Sequence, residues 1–267
     1  MTNSNKINRL ALVTGASSGI GLHYATQLAK DYHTDLLLVS NQEEELNAVA
    51  EKLAKEYNVK TIARYADLSK QDAAEELYQF CIDNQLEIDI LINNAGVFFF
   101  NPYVETSMHR IELMLNLHMV TVAKLCRLFG EDMCRRGSGY ILNMSSMSAW
   151  MAMPGIQTYN ATKAFIYNFS KSLWYEFKPK GVGVTVMTPG AVDTGLFGLS
   201  DKWRKFAVAV HVSIPPEKLV RRALKKMFKK KKSDMPGVIN HLCTPLLKHM
   251  PDWLVFLAIK LVEKFQK

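Results

Sequence analysis

Tyr159 and Lys163 stand four residues apart in a stretch with helical patterning, so both project from one helix face. A free tyrosine titrates at about 10. A lysine ammonium beside the hydroxyl favours the phenolate and brings the group toward the range useful for proton transfer. Tyr159 is therefore a candidate general acid. Ser146, at the end of an apolar run, can donate a hydrogen bond to a carbonyl oxygen where negative charge develops. Far upstream, Thr14-Gly15-Ala16-Ser17-Ser18-Gly19-Ile20-Gly21 follows one apolar run and opens a helical pattern. Its glycines let the backbone turn tightly and approach a pyrophosphate, whose charge meets the free N–H groups and positive dipole end of the helix. Proton transfer beside a dinucleotide site is the chemistry these residues can do together.

Strands and helices must bring these distant positions together. Short β-rich runs at Leu10–Val13, Leu36–Ser40, Val59–Tyr65, Asp89–Ile92, Tyr140–Met144 and Val182–Met187 alternate with helical patterns. Those patterns cover Gly19–Lys30, Glu43–Tyr57, Lys70–Asn84, Met108–Arg136 and Tyr159–Phe177. Several of the runs are nearly continuous in Leu, Ile and Val, as strands covered on both faces require. Right-handed crossovers then give an α/β fold: one doubly wound Rossmann-type parallel sheet with helices on both faces. A single domain over 1–267 is expected, with a core of about 8–190, a lid over about 191–215 and a C-terminal helical extension over about 216–267.

The chain has 267 residues, of which 48% are hydrophobic, which excludes a disordered chain or a collagen-like repeat. Cys81, Cys126, Cys134 and Cys243 form no CxxC pair, so no metal site is expected and a reducing, cytoplasmic setting fits. The first nine residues lack the basic start and apolar stretch of a leader, and no purely apolar run reaches the roughly 20 residues of a membrane span. The formal charge is +8, and six lysines fall within Lys225–Lys232. With the Trp- and Phe-bearing stretch from Asp252 to Lys267, that run suits peripheral contact with an anionic membrane surface. Without interleaved aromatics or a reader motif, nucleic-acid binding is not expected.

The glycine turn, Asn93-Asn94-Ala95-Gly96 after the fourth strand, Tyr159-x-x-x-Lys163 and Pro189-Gly190 with Thr194 beyond occur in a fixed order. In that combination the chain resembles the short-chain dehydrogenase/reductase family over roughly residues 8–200. The resemblance implies a hydride transfer with a nicotinamide cofactor and a catalytic set of Asn116, Ser146, Tyr159 and Lys163. Within it, Asn116 supports a water-linked proton path and Lys163 also binds the nicotinamide ribose. It implies cofactor contacts at Gly15, Ser17, Ser18, Gly19, Ile20, Gly21, Ser40, Asn41, Asp67, Leu68, Asn94, Ala95, Gly96, Pro189, Gly190, Val192 and Thr194. Asp67 would accept from the adenine amino group. His118, two residues after Asn116, reads as structural from its apolar neighbourhood. A homo-oligomer is expected, and a non-catalytic nicotinamide-binding sensor or scaffold is the alternative function.

Ser40-Asn41 ends the second strand, where an enzyme using NAD(H) places a carboxylate for the ribose 2′-OH. Two neutral residues there favour NADP(H), with Glu43 the residue able to overturn the preference. Phe98, Met147, Trp150, Met153, Leu196 and Phe197 make a flexible apolar lining suited to a lipophilic ketone or alcohol. The stretches Leu46–Leu68 and Ser145–Met147 look like the branch holding hydroxysteroid dehydrogenases and long-chain 3-ketoacyl or 3-ketosphinganine reductases.

Overall fold

The computed structural model describes residues 9–193, 213–237, 240 and 251–256. Its centre is a parallel sheet built from β1 (Leu10–Thr14), β2 (Asp35–Ser40), β3 (Thr61–Tyr65), β4 (Ile90–Asn93), β5 (Gly139–Met144), β6 (Val182–Met187) and a short last strand, β9 (Ser233–Asp234). Their spatial order is β3-β2-β1-β4-β5-β6-β9. The chain moves outward from β1 to β3, then returns to β4 on the other side of β1. This reversal opens a crevice at the carboxyl ends of β1 and β4, where such sheets bind ligands. A separate parallel pair, β7 (Ala191–Val192) with β8 (Ser213–Ile214), lies beyond β6. The lid expected over about 191–215 otherwise lies outside the described residues, as do Thr194, Leu196 and Phe197.

Strand periodicity decides which residues face which layer. Ala11, Val13, Leu36, Leu38, Ile90 and Ile92 point to one side and pack against α1 (Gly19–Tyr32), α2 (Glu43–Tyr57) and α7 (Pro216–Phe228). Leu12, Leu37, Val39 and Leu91 point to the other, under α3 (Ala73–Asp83), α5 (Thr121–Arg136) and α6 (Gln157–Phe177). Both faces are covered, which explains the unbroken apolar runs.

One sequence expectation changes in kind. The helix predicted over Met108–Arg136 is α4 (Met108–Leu115) and α5 joined by a π turn, Asn116–Val120, in which Thr121 N–H donates to the Asn116 carbonyl. This run is long and apolar enough to cross a membrane by length and composition. Yet Leu125, Cys126, Phe129 and Met133 are buried against the sheet, so apolarity here serves the core.

The basic run ends α7 with Lys225 and Lys226 and forms the turn to β9 with Lys229–Lys232. Lys230 Nζ donates to the Gly181 carbonyl at 2.6 Å, and Lys232 Nζ to the Tyr175 hydroxyl at 2.6 Å. Arg222 and Lys226 both grip buried Asp234, with Arg222 Nη2 at 3.0 Å and Lys226 Nζ at 3.0 Å. Several of these cations therefore fasten β9 to the sheet, while Arg221, Lys225, Lys229 and Lys231 stay exposed.

Candidate active site

The first wall of the crevice is the turn between β1 and α1. Gly19 has φ +54°, and a Cβ added there would meet nothing within 4 Å. A Cβ on Gly21, by contrast, would lie 1.9 Å from the Gly15 carbonyl oxygen, so only glycine lets α1 seat against the turn. Ser18 opens α1 without capping it through its side chain, and no acidic residue occupies the first helical turn. The free N–H groups of that turn thus keep both their donors and their positive end for an anion. Space, donors and sign fit a pyrophosphate.

Around this turn lies a cleft of about 490 Å³. It is lined by Gly15, Ser17, Ser18, Gly19, Ile20, Ser40, Asn41, Asp67, Leu68, Asn94, Ala95, Gly96, Pro189, Gly190 and Val192, all of them expected cofactor contacts. Asn94 also braces the floor: its Nδ2 donates to the Thr14 carbonyl at 3.0 Å, and its own N–H to Thr14 Oγ1 at 3.0 Å. Asp67 Oδ1 accepts from Ser69 N–H at 3.0 Å and from the Ser69 hydroxyl at 2.7 Å, which fixes the carboxylate at the cleft edge.

Gln42 is a lining residue that strand-end reasoning missed. Ser17 donates to Gln42 Oε1 at 2.7 Å, its oxygen lies 2.8 Å from Ser40 Oγ, and Gln42 N–H donates to Ser40 Oγ at 3.2 Å. The end of β2 is thus a neutral cluster of hydroxyls and an amide. Glu43, exposed at the start of α2, lines a neighbouring hollow with Arg64 and Lys70 and is not among the residues lining the cleft.

Ser146, Tyr159 and Lys163 come together on the opposite wall. Helix α6 is held to β5 by the Ser145 hydroxyl, which donates to the Lys163 carbonyl at 2.7 Å. Behind it, Asn93 Nδ2 donates to Asn143 Oδ1 at 2.8 Å and Asn143 Nδ2 to Ser170 Oγ at 2.8 Å, a buried polar chain linking β4, β5 and α6. Lys163 Nζ donates to the Met144 carbonyl at 3.0 Å and lies 5.4 Å from the centre of the Tyr159 ring.

The expected lowering of the tyrosine pKa is not found. Burial pushes Tyr159 up to about 12, opposed only in part by its hydrogen bond with Ser146. Burial likewise lowers Lys163 to about 8. The lysine's hydrogen bond goes to a carbonyl, and desolvation of the phenolate outweighs its charge at this separation. Tyr159 is therefore a protonated donor at neutral pH.

Asn116 starts the π turn, and its carbonyl is used within that turn. It does not line the cleft, whereas its neighbours Leu117 and His118 do. On the apolar side, Phe98 packs edge-on against Tyr159 with ring centres 5.1 Å apart. Met147 holds its N–H to the Pro189 carbonyl at 2.9 Å, and Trp150 packs on Tyr167 with centres 4.8 Å apart. The Met153 carbonyl accepts from Asn160 Nδ2 at 3.4 Å. Met147, Trp150 and Met153 are half-buried and stand beside the cleft, not within its lining.

The sequence model for short chain dehydrogenases matches residues 9–205. A very-long-chain 3-oxoacyl-CoA reductase of Mus musculus is 30% identical over 98% of this chain and 81% of its own length. Hydroxysteroid dehydrogenase-like protein 1 of Gallus gallus is 33% identical over 73% of this chain. The chain spans about three fifths of the length of several of these relatives, 59% for the Gallus gallus protein. Among solved structures, a short-chain dehydrogenase from Sphingobium yanoikuyae in complex with NADPH is 29% identical and superimposes with a TM-score of 0.77, covering 86% of this chain and 88% of its own. A 7β-hydroxysteroid dehydrogenase gives a TM-score of 0.80 at 25% identity, covering 90% and 92%. Motif order, sheet order and cleft geometry agree with these matches: the chain belongs to the short-chain dehydrogenase/reductase family, whose members are oxidoreductases acting on CH–OH and C=O groups.

Proposed function

We propose that the protein is an NADP(H)-dependent reductase of a lipophilic ketone, of the 3-oxoacyl thioester or ketosteroid kind. The observation that carries this reading is the meeting of Ser146, Tyr159 and Lys163 on a wall whose next neighbour is the apolar loop at Phe98. A bound nicotinamide cofactor supplies the hydride. The chain's own residues handle the proton and the charge. Tyr159 O–H donates its proton to the carbonyl oxygen, and the Ser146 hydroxyl donates a hydrogen bond to the same oxygen as charge builds there. Lys163 holds the ribose and keeps a positive charge near the phenolate that proton transfer leaves. Asn116, which starts the π turn next to the lining residues Leu117 and His118, would act on the return of a proton to Tyr159 through water and not by direct contact.

The Ser17, Ser40 and Gln42 cluster, with Asn41 beside it, supports the choice of NADP(H). No carboxylate among these residues repels a 2′-phosphate, and each can turn a hydroxyl or amide donor toward one. Peripheral contact with an anionic lipid surface is part of the same reading, through exposed Arg221, Lys225, Lys229 and Lys231 and the exposed rings of Trp253 and Phe256. The deciding experiment screens NADPH and NADH oxidation against ketosteroids, bile-acid ketones, 3-oxoacyl thioesters and 3-ketosphinganine. Oxidation of NADPH with at least one of these supports the reading. Tight cofactor binding without turnover of any would favour a sensor or scaffold.

A further inference from the structure

His118 is 1% exposed on the π turn and touches two further elements. Its Nε2 lies 3.0 Å from the backbone nitrogen of Val97, and its Nδ1 lies 3.0 Å from Thr162 Oγ1 on α6. A backbone N–H can only donate, so Nε2 accepts and carries no proton. The Thr162 hydroxyl already donates to the Tyr159 carbonyl at 2.8 Å, which leaves its oxygen to accept from Nδ1–H. One neutral tautomer satisfies all three bonds. The imidazole also meets the Tyr159 ring edge-on, with centres 5.9 Å apart.

The residue after Val97 is Phe98, whose ring packs on Tyr159. His118 therefore holds both partners of that contact, one through Val97 and the other through Thr162. Chain and ring are close here: a Cβ on Gly96 would lie 2.9 Å from Nε2. Tyr159 and Lys163, both on α6, are the titratable groups facing the imidazole among the described residues. Burial, then the Lys163 charge, holds the His118 pKa well below its ordinary value. The acceptor at Nε2 thus persists through neutral pH.

We infer that His118, as the Nδ1–H tautomer, is a positioning residue that ties the apolar loop at Val97 to the catalytic helix and so sets the spacing between Phe98 and the Tyr159 hydroxyl. The inference rests on the reductase reading, because the packing of Phe98 on Tyr159 matters where a ketone must reach the Tyr159 hydroxyl beside that loop. Protonating Nε2 would set two donors against each other across the Val97 bond and release the loop.

The test combines nitrogen NMR of protein labelled with 15N-histidine and kinetics of three variants with NADPH and the best ketone of the screen. His118→Leu removes both bonds and should lower kcat/KM by about tenfold to a hundredfold, mostly in kcat, with a smaller change in NADPH affinity. His118→Gln retains an acceptor for Val97 N–H and should recover most of the loss, whereas His118→Asn, too short to reach Val97, should not. In wild type the spectrum should show Nδ1 protonated, Nε2 bare and no titration near the free-histidine value of about 6.5. An Nε2–H tautomer or ordinary titration overturns the inference, even if the variants fail to fold. Unchanged kinetics in folded His118→Leu overturn it while the reductase reading stands. If wild type reduces no ketone, the reductase reading falls and the positioning role falls with it.

Discussion

Lys163 holds its ammonium 5.4 Å from the centre of the Tyr159 ring and gives its hydrogen bond to the Met144 carbonyl. Two buried groups thus stay a short reach apart, each with its pKa moved by loss of water. Burial carries Tyr159 to about 12 and Lys163 to about 8, so at neutral pH both are protonated. That is the state a ketone reductase needs at the start of turnover, with a proton to give and a cation beside the phenolate that forms.

Lys163 sets a pH limit on this arrangement. Its ammonium is lost as pH rises through about 8, whereas Tyr159 keeps its proton throughout the accessible range. For ketone reduction, kcat/KM should fall above pH about 8, since that parameter reports ionisations of the free enzyme. Linkage gives the matching sign for stability. Between about 8 and the free-lysine value of about 10.4, the unfolded chain binds more protons than the folded one, so this group makes stability rise with pH. A rate profile flat to pH about 10 would show that the charge of Lys163 is not used.

Cofactor choice should respond to a single carboxylate. NADPH is expected to bind more tightly than NADH, and Ser40→Asp should reverse the order by repelling the 2′-phosphate and accepting from a free 2′-OH. Fluorescence titration of both cofactors against both proteins measures the change. Equal affinities in wild type would remove the Ser17, Ser40 and Gln42 cluster as the source of preference.

Asp234 should matter for folding and not for chemistry. Burial raises its pKa, but the hydrogen bonds from Arg222 and Lys226 prevail and lower it overall. Its contribution is present at neutral pH and is lost as pH falls through that lowered value. Asp234→Asn should cost about 1 kcal/mol, below the cost of breaking a fully buried pair, because Arg222 and Lys226 are 45% and 37% exposed. Thermal melts at neutral pH should show the difference, and melts at acid pH should show it shrink.

Sequence pattern was most informative where one physical demand dominated. The β6 run Val182–Met187 is legible to the residue because every position is buried and all but Gly183 and Thr185 carry large apolar side chains. The glycine turn is legible because Gly21 tolerates no side chain. By contrast, β9 is two polar residues after a lysine run, held by Arg222 and Lys226 through Asp234, and has no apolar alternation to reveal it. The π turn within Met108–Arg136 has no compositional signature, so in the sequence the inward turning of His118 shows only as an apolar neighbourhood. Gln42 escaped notice because its link to Ser17 crosses 25 residues of sequence. For Tyr159, spacing reports the nearness of Lys163 but not the loss of water around both groups, which raises the tyrosine and lowers the lysine.

The central claim is that Tyr159 delivers the proton to a ketone held beside Phe98. Single-turnover oxidation of NADPH by wild type and Tyr159→Phe, with the best ketone of the screen and with cofactor affinity measured in parallel, tests it most directly. The account predicts nearly unchanged NADPH binding and a chemical step slowed by at least about a hundredfold, the range of lost acid–base catalysis. A folded Tyr159→Phe protein that reduces the ketone at near wild-type rate would contradict it.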